Sequence, residues 1–467
     1  MNVVLVIIDT LRLDHMGCYA DCYLDGGRAK TPHLDRLAAD SLRFRRAAPE
    51  SLPTLPMRRA VHTGQRVWPF HDHRHYKGDF VGAPGWGPIR EDQDTLAELL
   101  QKAGYRTAFV SDTYHQFKPS KNFARGFLQW TFIRGQEIDF CKTGPPVPRE
   151  VALRHIPESK RNDKFVQRHV QYLTNVQDRR SEEDYFAAQV FRTAADWLYQ
   201  NQDADKYFLV VDSFDPHEPW DPPLYYRKMY DPDDDGVADV IWALYGQHNY
   251  TERELRRMRA NYAGEVTMVD RWFGHFYDAF LAAGRPEETL FILTTDHGHY
   301  LGDRGWTGKM GQPMLREIID TPILLRDPHG RAAGQANDAF VSHTDIAATI
   351  LEAAGVTAEQ PLEGRSLLPA LAGEKLTHRD HTLTGWGPFI TIRTDRWLYN
   401  ASLWGQNPML FDWVNDPRCE RNVAAEHPDV VKMLYEVGVA DCGGKYPEFL
   451  RKMADAALPG CTPLGKW

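Results

Sequence analysis

"VVLVII" (3–8), running directly into Asp9-Thr10, is a short, continuous and mostly β-branched apolar stretch. Branching at Cβ crowds a helix but fits a pleated surface. An unbroken apolar run suits a central strand covered on both faces. Similar runs recur at 107–111 ("TAFVS"), 207–213 ("YFLVVDS"), 289–295 ("TLFILTT") and 321–326 ("TPILLR"). Helical patterns alternate with them at 95–104, 184–201, 256–284 and 343–355. This alternation predicts an α/β fold with a large, mostly parallel central sheet sandwiched by helices. Beyond about residue 375 the pattern changes. "FITIRTDRWLYNAS" (389–402) and "MLFDWVNDP" (409–417) read as antiparallel hairpin strands. The expected division is an α/β catalytic domain over 1–375 and a small α+β subdomain over 376–467. Segments 135–183 and 228–256 are charged and weakly periodic, and read as insertions or oligomer contacts.

The chain has 467 residues, enough to bury a sizeable core. A net charge of −9 disfavours nonspecific nucleic-acid binding. Cys18, Cys22, Cys141, Cys419, Cys442 and Cys461 match neither a zinc ribbon nor a dense disulfide framework, and read as reduced thiols. "MNVVLVIID" has no basic flank and no small-residue cleavage site, so it does not read as a signal peptide. No apolar stretch is long enough to span a membrane. These features predict a cytoplasmic protein with neither nucleic acid nor membrane as partner; a homo-oligomer is left open.

Ligands of such sheets bind at the carboxyl ends of the strands. Asp9 ends the first strand, and Asp296-His297 end the fourth. Carboxylates with an imidazole suit one divalent ion, with Mn, Zn or Fe favoured over Ca. Asp9 taken alone could equally cap a helix. "ESLPTLPMRRAVHTG" (50–64) is a proline-held turn presenting a Thr54 hydroxyl close to Arg58, an arrangement suited to attack on an anionic ester. His71, His73 and His75 alternate along a loop without preset geometry and read as solvated. The aromatics at 68–70, 85–88 and 385–389 read mainly as packing.

"VVLVIIDTLRLDHMGCY", "TPHLDRLAADSLRFRRAAPESLPTLPMRRAVHTG", "YFLVVDSFDPHEPWDPP", "YAGEVTMVD", "TTDHGHYLGDRGWTGK" and "MLFDWVNDP" occur in the order found in the sulfatase family of the alkaline phosphatase superfamily, which the chain resembles from residue 1 to about 425. The family signature is Cys or Ser-x-Pro-Ser-Arg followed by Thr-Gly. Here the frame reads Thr54-Leu55-Pro56-Met57-Arg58, with Thr63-Gly64 in place. The resemblance implies an alkaline phosphatase-like fold and one metal held by Asp9, Thr54, Asp296 and His297. It makes Thr54 the nucleophile in place of the formylglycine derived from Cys. Arg58 and Lys309 would then bind anionic oxygens, and His217 would protonate the leaving group. Thr10 stands where a second family acid is usual. "VSDTYHQF" offers Asp112 and His115 for substrate binding where the family often has a lysine. A second ion on Asp212 or Asp215, His217 and His343 is the minority expectation.

Threonine cannot become the aldehyde, which favours phosphodiester or phosphonate monoester hydrolysis over sulfate. The alternatives are a sulfuric ester hydrolase using unmodified Thr54, a phosphoryl transferase, and a metal-binding pseudoenzyme scaffold.

Overall fold

The computed structural model describes residues 1–23, 26–79, 81–377 and 379–456. Cys461 lies outside this set, and the other five cysteines are free thiols. Eight strands form the main sheet in the order Ala336–Ser342, Leu42–Ala48, Thr321–Arg326, Thr289–Thr294, Asn2–Ile8, Tyr207–Ser213, Arg106–Ser111, Gln129–Phe132. Only Thr321–Arg326 runs against its neighbours; the other pairings are parallel.

Period-two alternation explains the layering. Val4, Val6 and Ile8 face the core beneath helices Phe186–Gln200 and Glu252–Ala283. Val3, Leu5 and Ile7 face the opposite core, beneath helices Thr54–Thr63, Leu96–Lys102 and Thr344–Ala354. Both faces of the central strand are dry, which is why its sequence lacks polar alternation. Ile7 pairs with Asp212 on one side and Thr294 on the other, so Asp9, Asp212 and Asp296 emerge together at one sheet edge.

A second, antiparallel sheet contains Thr382–Trp386, Phe389–Arg393, Trp397–Ser402 and Met409–Asp412 in sequential order. Its first strand braces the turn that precedes Thr54: Gly385 accepts from Leu52 N (2.9 Å) and donates to Glu50 O (2.9 Å). A Cβ on Gly385 would lie 2.1 Å from the Trp68 ring, so only glycine permits this approach. Trp68 and Trp386 are packing residues, as expected.

Asp270, buried on the long Glu252–Ala283 helix, accepts backbone N–H from His33 (3.2 Å) and Leu34 (2.8 Å) in the first turn of helix Pro32–Ala39. Asp270→Ala should destabilise the protein by about 2 kcal/mol in urea denaturation, because two inward N–H groups lose their acceptor. Burial pushes the Asp270 carboxyl from 3.8 up to about 7. The folded state therefore holds this proton more tightly than the unfolded chain. The resulting stability is complete below 3.8 and is lost as pH rises through about 7. Wild type should accordingly lose stability relative to Asp270→Asn across that window; a constant gap would show that the carboxyl does not retain its proton.

Candidate active site

Three buried side chains, Asp9, Asp296 and His297, bring ligand atoms within 4.8 Å of one another at the carboxyl ends of two adjacent strands. Thr10 fixes the two acids. It adopts a positive φ of 58°, unusual for a β-branched residue. Its hydroxyl donates to Asp9 Oδ1 (2.6 Å) and its N–H to Asp296 Oδ1 (3.0 Å). Thr10 is thus a clamp on the carboxylates and does not cap a helix. His297 donates Nδ1–H to Gly298 O (3.0 Å), which leaves Nε2 as a lone pair for the cluster. Burial drives the imidazole pKa well down, so the ring is neutral and able to ligate.

Arg58 is fully buried and ties three carboxylates together. It grips Asp212 through Nε (2.8 Å) and Nη2 (2.7 Å). Its Nη1 reaches Asp296 Oδ2 (2.7 Å), Asp9 Oδ2 (3.1 Å) and the Thr54 carbonyl (3.2 Å). The guanidinium is committed to the protein's own acids and does not line the cavity. This differs from the expectation that it grips an ester oxygen.

The ligand set fits a divalent ion. Asp9 Oδ2 is buried and accepts no well-formed hydrogen bond among the described residues, although Arg58 Nη1 lies 3.1 Å away. Burial, reinforced by Asp296, raises the Asp9 carboxyl well above its usual range, so a further cation is needed for both acids to ionise comfortably. Three buried carboxylates (Asp9, Asp212, Asp296) face two buried cations (Arg58, Lys309). A divalent ion would turn that excess of negative charge positive, as binding an anionic ester requires.

Thr54 opens the wholly buried helix Thr54–Thr63, where backbone N–H groups favour negative charge. Its hydroxyl makes no hydrogen bond among the described residues. With Lys309 and His217, Thr54 lines a cavity of about 220 Å³. Lys309 follows the short strand Trp306–Gly308, which pairs with Gly246–Gln247 and Tyr300–Leu301. At Gly308 (φ 89°) a Cβ would meet the Tyr245 ring at 2.3 Å, so glycine lets the two strands close. Lys309 Nζ donates to His217 Nε2 (2.7 Å) and lies 3.2 Å from His297 Nε2. His217 donates Nδ1–H to Glu218 O (2.8 Å). Burial lowers the His217 pKa to about 4, so the ring is neutral near pH 7. In this state Lys309, not His217, carries the proton between them.

His115 lines the cavity, with Nε2 3.2 Å from Glu137 Oε2. Asp112 does not reach it. Its oxygens accept from Phe214 N (2.6 Å) and Gln136 Nε2 (2.8 Å), one layer below. The alternative metal set is not assembled either. Asp212 is gripped by Arg58, Asp215 accepts from Gln136 (2.7 Å) and Ala187 N (3.0 Å), and His343 Nε2 turns to the Thr295 carbonyl (2.8 Å). The second cluster among the described residues is instead Glu137, His217 and Glu218.

Glu137, Phe165 and Arg168 come from 135–183, and Trp242 to Tyr245 from 228–256. These segments build the far wall of the cavity, a role that their charged and weakly periodic sequence did not announce. Trp86 of the 85–88 stretch also lies on this wall. A larger cavity, about 550 Å³, is lined by Arg12, Arg304 and Arg316 among others and contains none of the candidate site residues.

The sulfatase family model matches residues 1–356, and the N-sulphoglucosamine sulphohydrolase C-terminal model matches 302–436. Over 412 residues the chain is 26% identical to the multifunctional alkaline phosphatase superfamily protein PehA of Trinickia caryophylli, covering 80% of this chain and 77% of that protein. It is 24% identical over 424 residues to the N-acetylglucosamine-6-O-sulfatase of Bacteroides thetaiotaomicron, covering 81% and 72%. The phosphonate monoester hydrolase of Agrobacterium radiobacter shares the fold with a TM-score of 0.71 at 23% identity, over 97% of this chain and 95% of that one. No helix among the described residues is long and apolar enough to cross a membrane. A metal-type cluster at the strand ends, a cavity lined by Thr54 and Lys309 and a family match over most of the chain converge: the protein belongs to the sulfatase family of the alkaline phosphatase superfamily and is a hydrolase of anionic esters.

Proposed function

We propose that the protein is a metal-dependent phosphodiesterase or phosphonate monoester hydrolase with Thr54 as its nucleophile. The observation that carries this reading is the Thr54 hydroxyl itself. Among the described residues it has no hydrogen-bond partner; it heads a buried helix and shares a cavity with Lys309 and His217. Asp9, Asp296 and His297, with Thr54, would hold the ion. The ion would supply Lewis-acid charge to the nucleophile and the ester oxygens.

The chain's own residues account for the remaining steps. Thr54 Oγ bonds to phosphorus as the bond to the leaving oxygen breaks, and the Thr54 proton enters the Lys309–His217 pair in place of the one that the pair gives to the leaving alcohol. Lys309 neutralises an equatorial oxygen, and the Lys309–His217 pair passes a proton to the departing alcohol. Water then attacks phosphorus, the Oγ–P bond breaks, and the Thr54 hydroxyl regains its proton. Arg58 holds the acids and the Thr54 turn in register throughout.

Threonine matters because its Cβ carries a methyl group. Oxidation there would give a ketone, not the aldehyde that expels sulfate by elimination. A phospho-threonine needs only water to clear it. The resemblance to named sulfatases keeps sulfate hydrolysis by unmodified Thr54 as the second reading.

The deciding measurement is a panel of aryl phosphodiester, phosphonate monoester, phosphomonoester and sulfate, run after chelation and with Mn²⁺, Zn²⁺, Fe²⁺ or Ca²⁺ restored. Chelation should abolish turnover, and one ion per chain should restore it. The diester or phosphonate should exceed the sulfate by about tenfold or more in kcat/KM, a difference of about 1.4 kcal/mol. Faster sulfate hydrolysis would overturn the phosphorus-ester reading.

A further inference from the structure

The far wall of the cavity carries charge that phosphoryl chemistry does not need. Glu137 and Glu218 are both buried there, beside Trp86, Phe165, Trp242 and Tyr245. Glu137 Oε2 accepts from Tyr114 Oη (2.9 Å) and faces His115. Glu218 Oε1 accepts from Tyr245 Oη, while Glu218 Oε2 is buried without any hydrogen-bond partner. That oxygen lies 3.3 Å from His217 Nδ1 and 3.4 Å from His299 Nε2, but neither ring nitrogen satisfies it. His217 spends its N–H on the Glu218 carbonyl, and His299 directs Nδ1 to the Tyr300 carbonyl (2.8 Å). An unpartnered buried carboxylate oxygen is costly without a cation nearby.

A second metal ion fits this wall poorly. The ring nitrogen of His217 that faces both glutamates is Nδ1, which bears the proton given to Glu218 O, so the histidine offers no lone pair on that side. Aromatic faces are also poor company for a small hydrated ion. They suit an alkylated ammonium, which gains from ring quadrupoles and from carboxylate charge together. Among the described residues the wall cations are Lys309 and Arg168, and Arg168 is half-buried, whereas both glutamates are buried.

We infer that the Glu137–Glu218 side of the cavity receives an alkylammonium group carried by the leaving alcohol of the ester. The inference rests on the cavity being the ester site and adds the class of leaving group. His217 bridges the two functions. Its Nε2 side meets Lys309 and the reacting ester, and its Nδ1 side lies 3.3 Å from Glu218 and 3.7 Å from Glu137. A short alkyl spacer between oxygen and nitrogen therefore spans the two.

The test compares 2-(trimethylammonio)ethanol with its uncharged isostere 3,3-dimethylbutan-1-ol. Each is titrated as a ligand into the metal-loaded protein by calorimetry. Each then serves as leaving group in a methyl phosphodiester and in a sulfate monoester. The cationic member should be favoured by about tenfold or more, in binding and in kcat/KM for whichever ester class is hydrolysed. Glu218→Gln and Glu137→Gln should each pull that ratio toward one, whatever happens to absolute rates; two variants guard against one failing to fold. A wild-type ratio of one or less, a ratio unmoved in both variants, or a second bound divalent ion lost in Glu218→Gln would overturn the inference. Because each ratio is taken within one ester class, hydrolysis of sulfate alone would defeat the phosphodiester reading without touching this one. The binding arm reports even where neither ester is turned over.

Discussion

Thr54→Ala is expected to lower kcat/KM by at least about 10³-fold while leaving the fold and the metal-type acids in place. Among the described residues the Thr54 hydroxyl has no hydrogen-bond partner, and Thr54 lines the cavity. No neighbour can replace it: Ser51 Oγ is already hydrogen-bonded to Glu50 Oε1. Thr54→Ser keeps the oxygen and should keep measurable turnover, so the serine variant separates loss of the nucleophile from loss of packing. Rapid-quench kinetics on wild type should trap a phosphorylated Thr54, absent from the alanine variant. Alanine turning over at the wild-type rate would remove Thr54 from the mechanism and favour direct attack by water. Product analysis in the presence of added alcohols distinguishes hydrolysis from phosphoryl transfer to an acceptor.

Arg58→Ala should have the largest effect on stability, about 3–5 kcal/mol in urea denaturation. The loss does not come from a missing surface ion pair, which would cost little. All partners are buried, and the variant would leave Asp9, Asp212 and Asp296 without the guanidinium that neutralises them. Lysine is a poor substitute, because one ammonium cannot grip Asp212 through two nitrogens and reach Asp296 as well. Added Mn²⁺ or Zn²⁺ should recover part of the loss, since an ion held by Asp9 and Asp296 offsets two of the three charges. Asp212 would remain uncompensated, so the recovery should be incomplete. A loss below about 1 kcal/mol, unaffected by metal, would show that the carboxylates are accommodated in another way.

The five strands anticipated from apolar runs all occur, because each lies deep in the sheet with both faces covered. The strands that escaped notice have a different chemistry. Leu42–Ala48 carries three arginines, which pair with acids distant in sequence: Arg43 with Asp21, Arg45 with Asp338 and Arg46 with Asp395. Ala336–Ser342 and Gln129–Phe132 are edge strands with exposed or half-exposed residues, so neither produces a continuous apolar signal.

The same contrast runs through the site. Asp9, Thr54, Asp296, His297 and Lys309 were legible because each stands beside a strand end or turn whose local pattern announces it. Arg58 was legible as a residue, but its partners were not. Asp112 was misread as facing the substrate because nothing local tells which layer a strand-end acid occupies.

The sequence by itself determined the α/β class and the edge of the sheet at which Asp9, Asp296 and His297 gather. These follow from local periodicity and from motifs contiguous along the chain. Only the tertiary structure decided that Arg58 serves the protein's own acids, that His217 is a neutral acceptor of Lys309, and that Glu137, Glu218 and four aromatic residues form one wall. That wall joins segments up to about 160 residues apart, between Trp86 and Tyr245. Such a surface exists only after the long-range packing that buries it, and no periodicity in the chain encodes it.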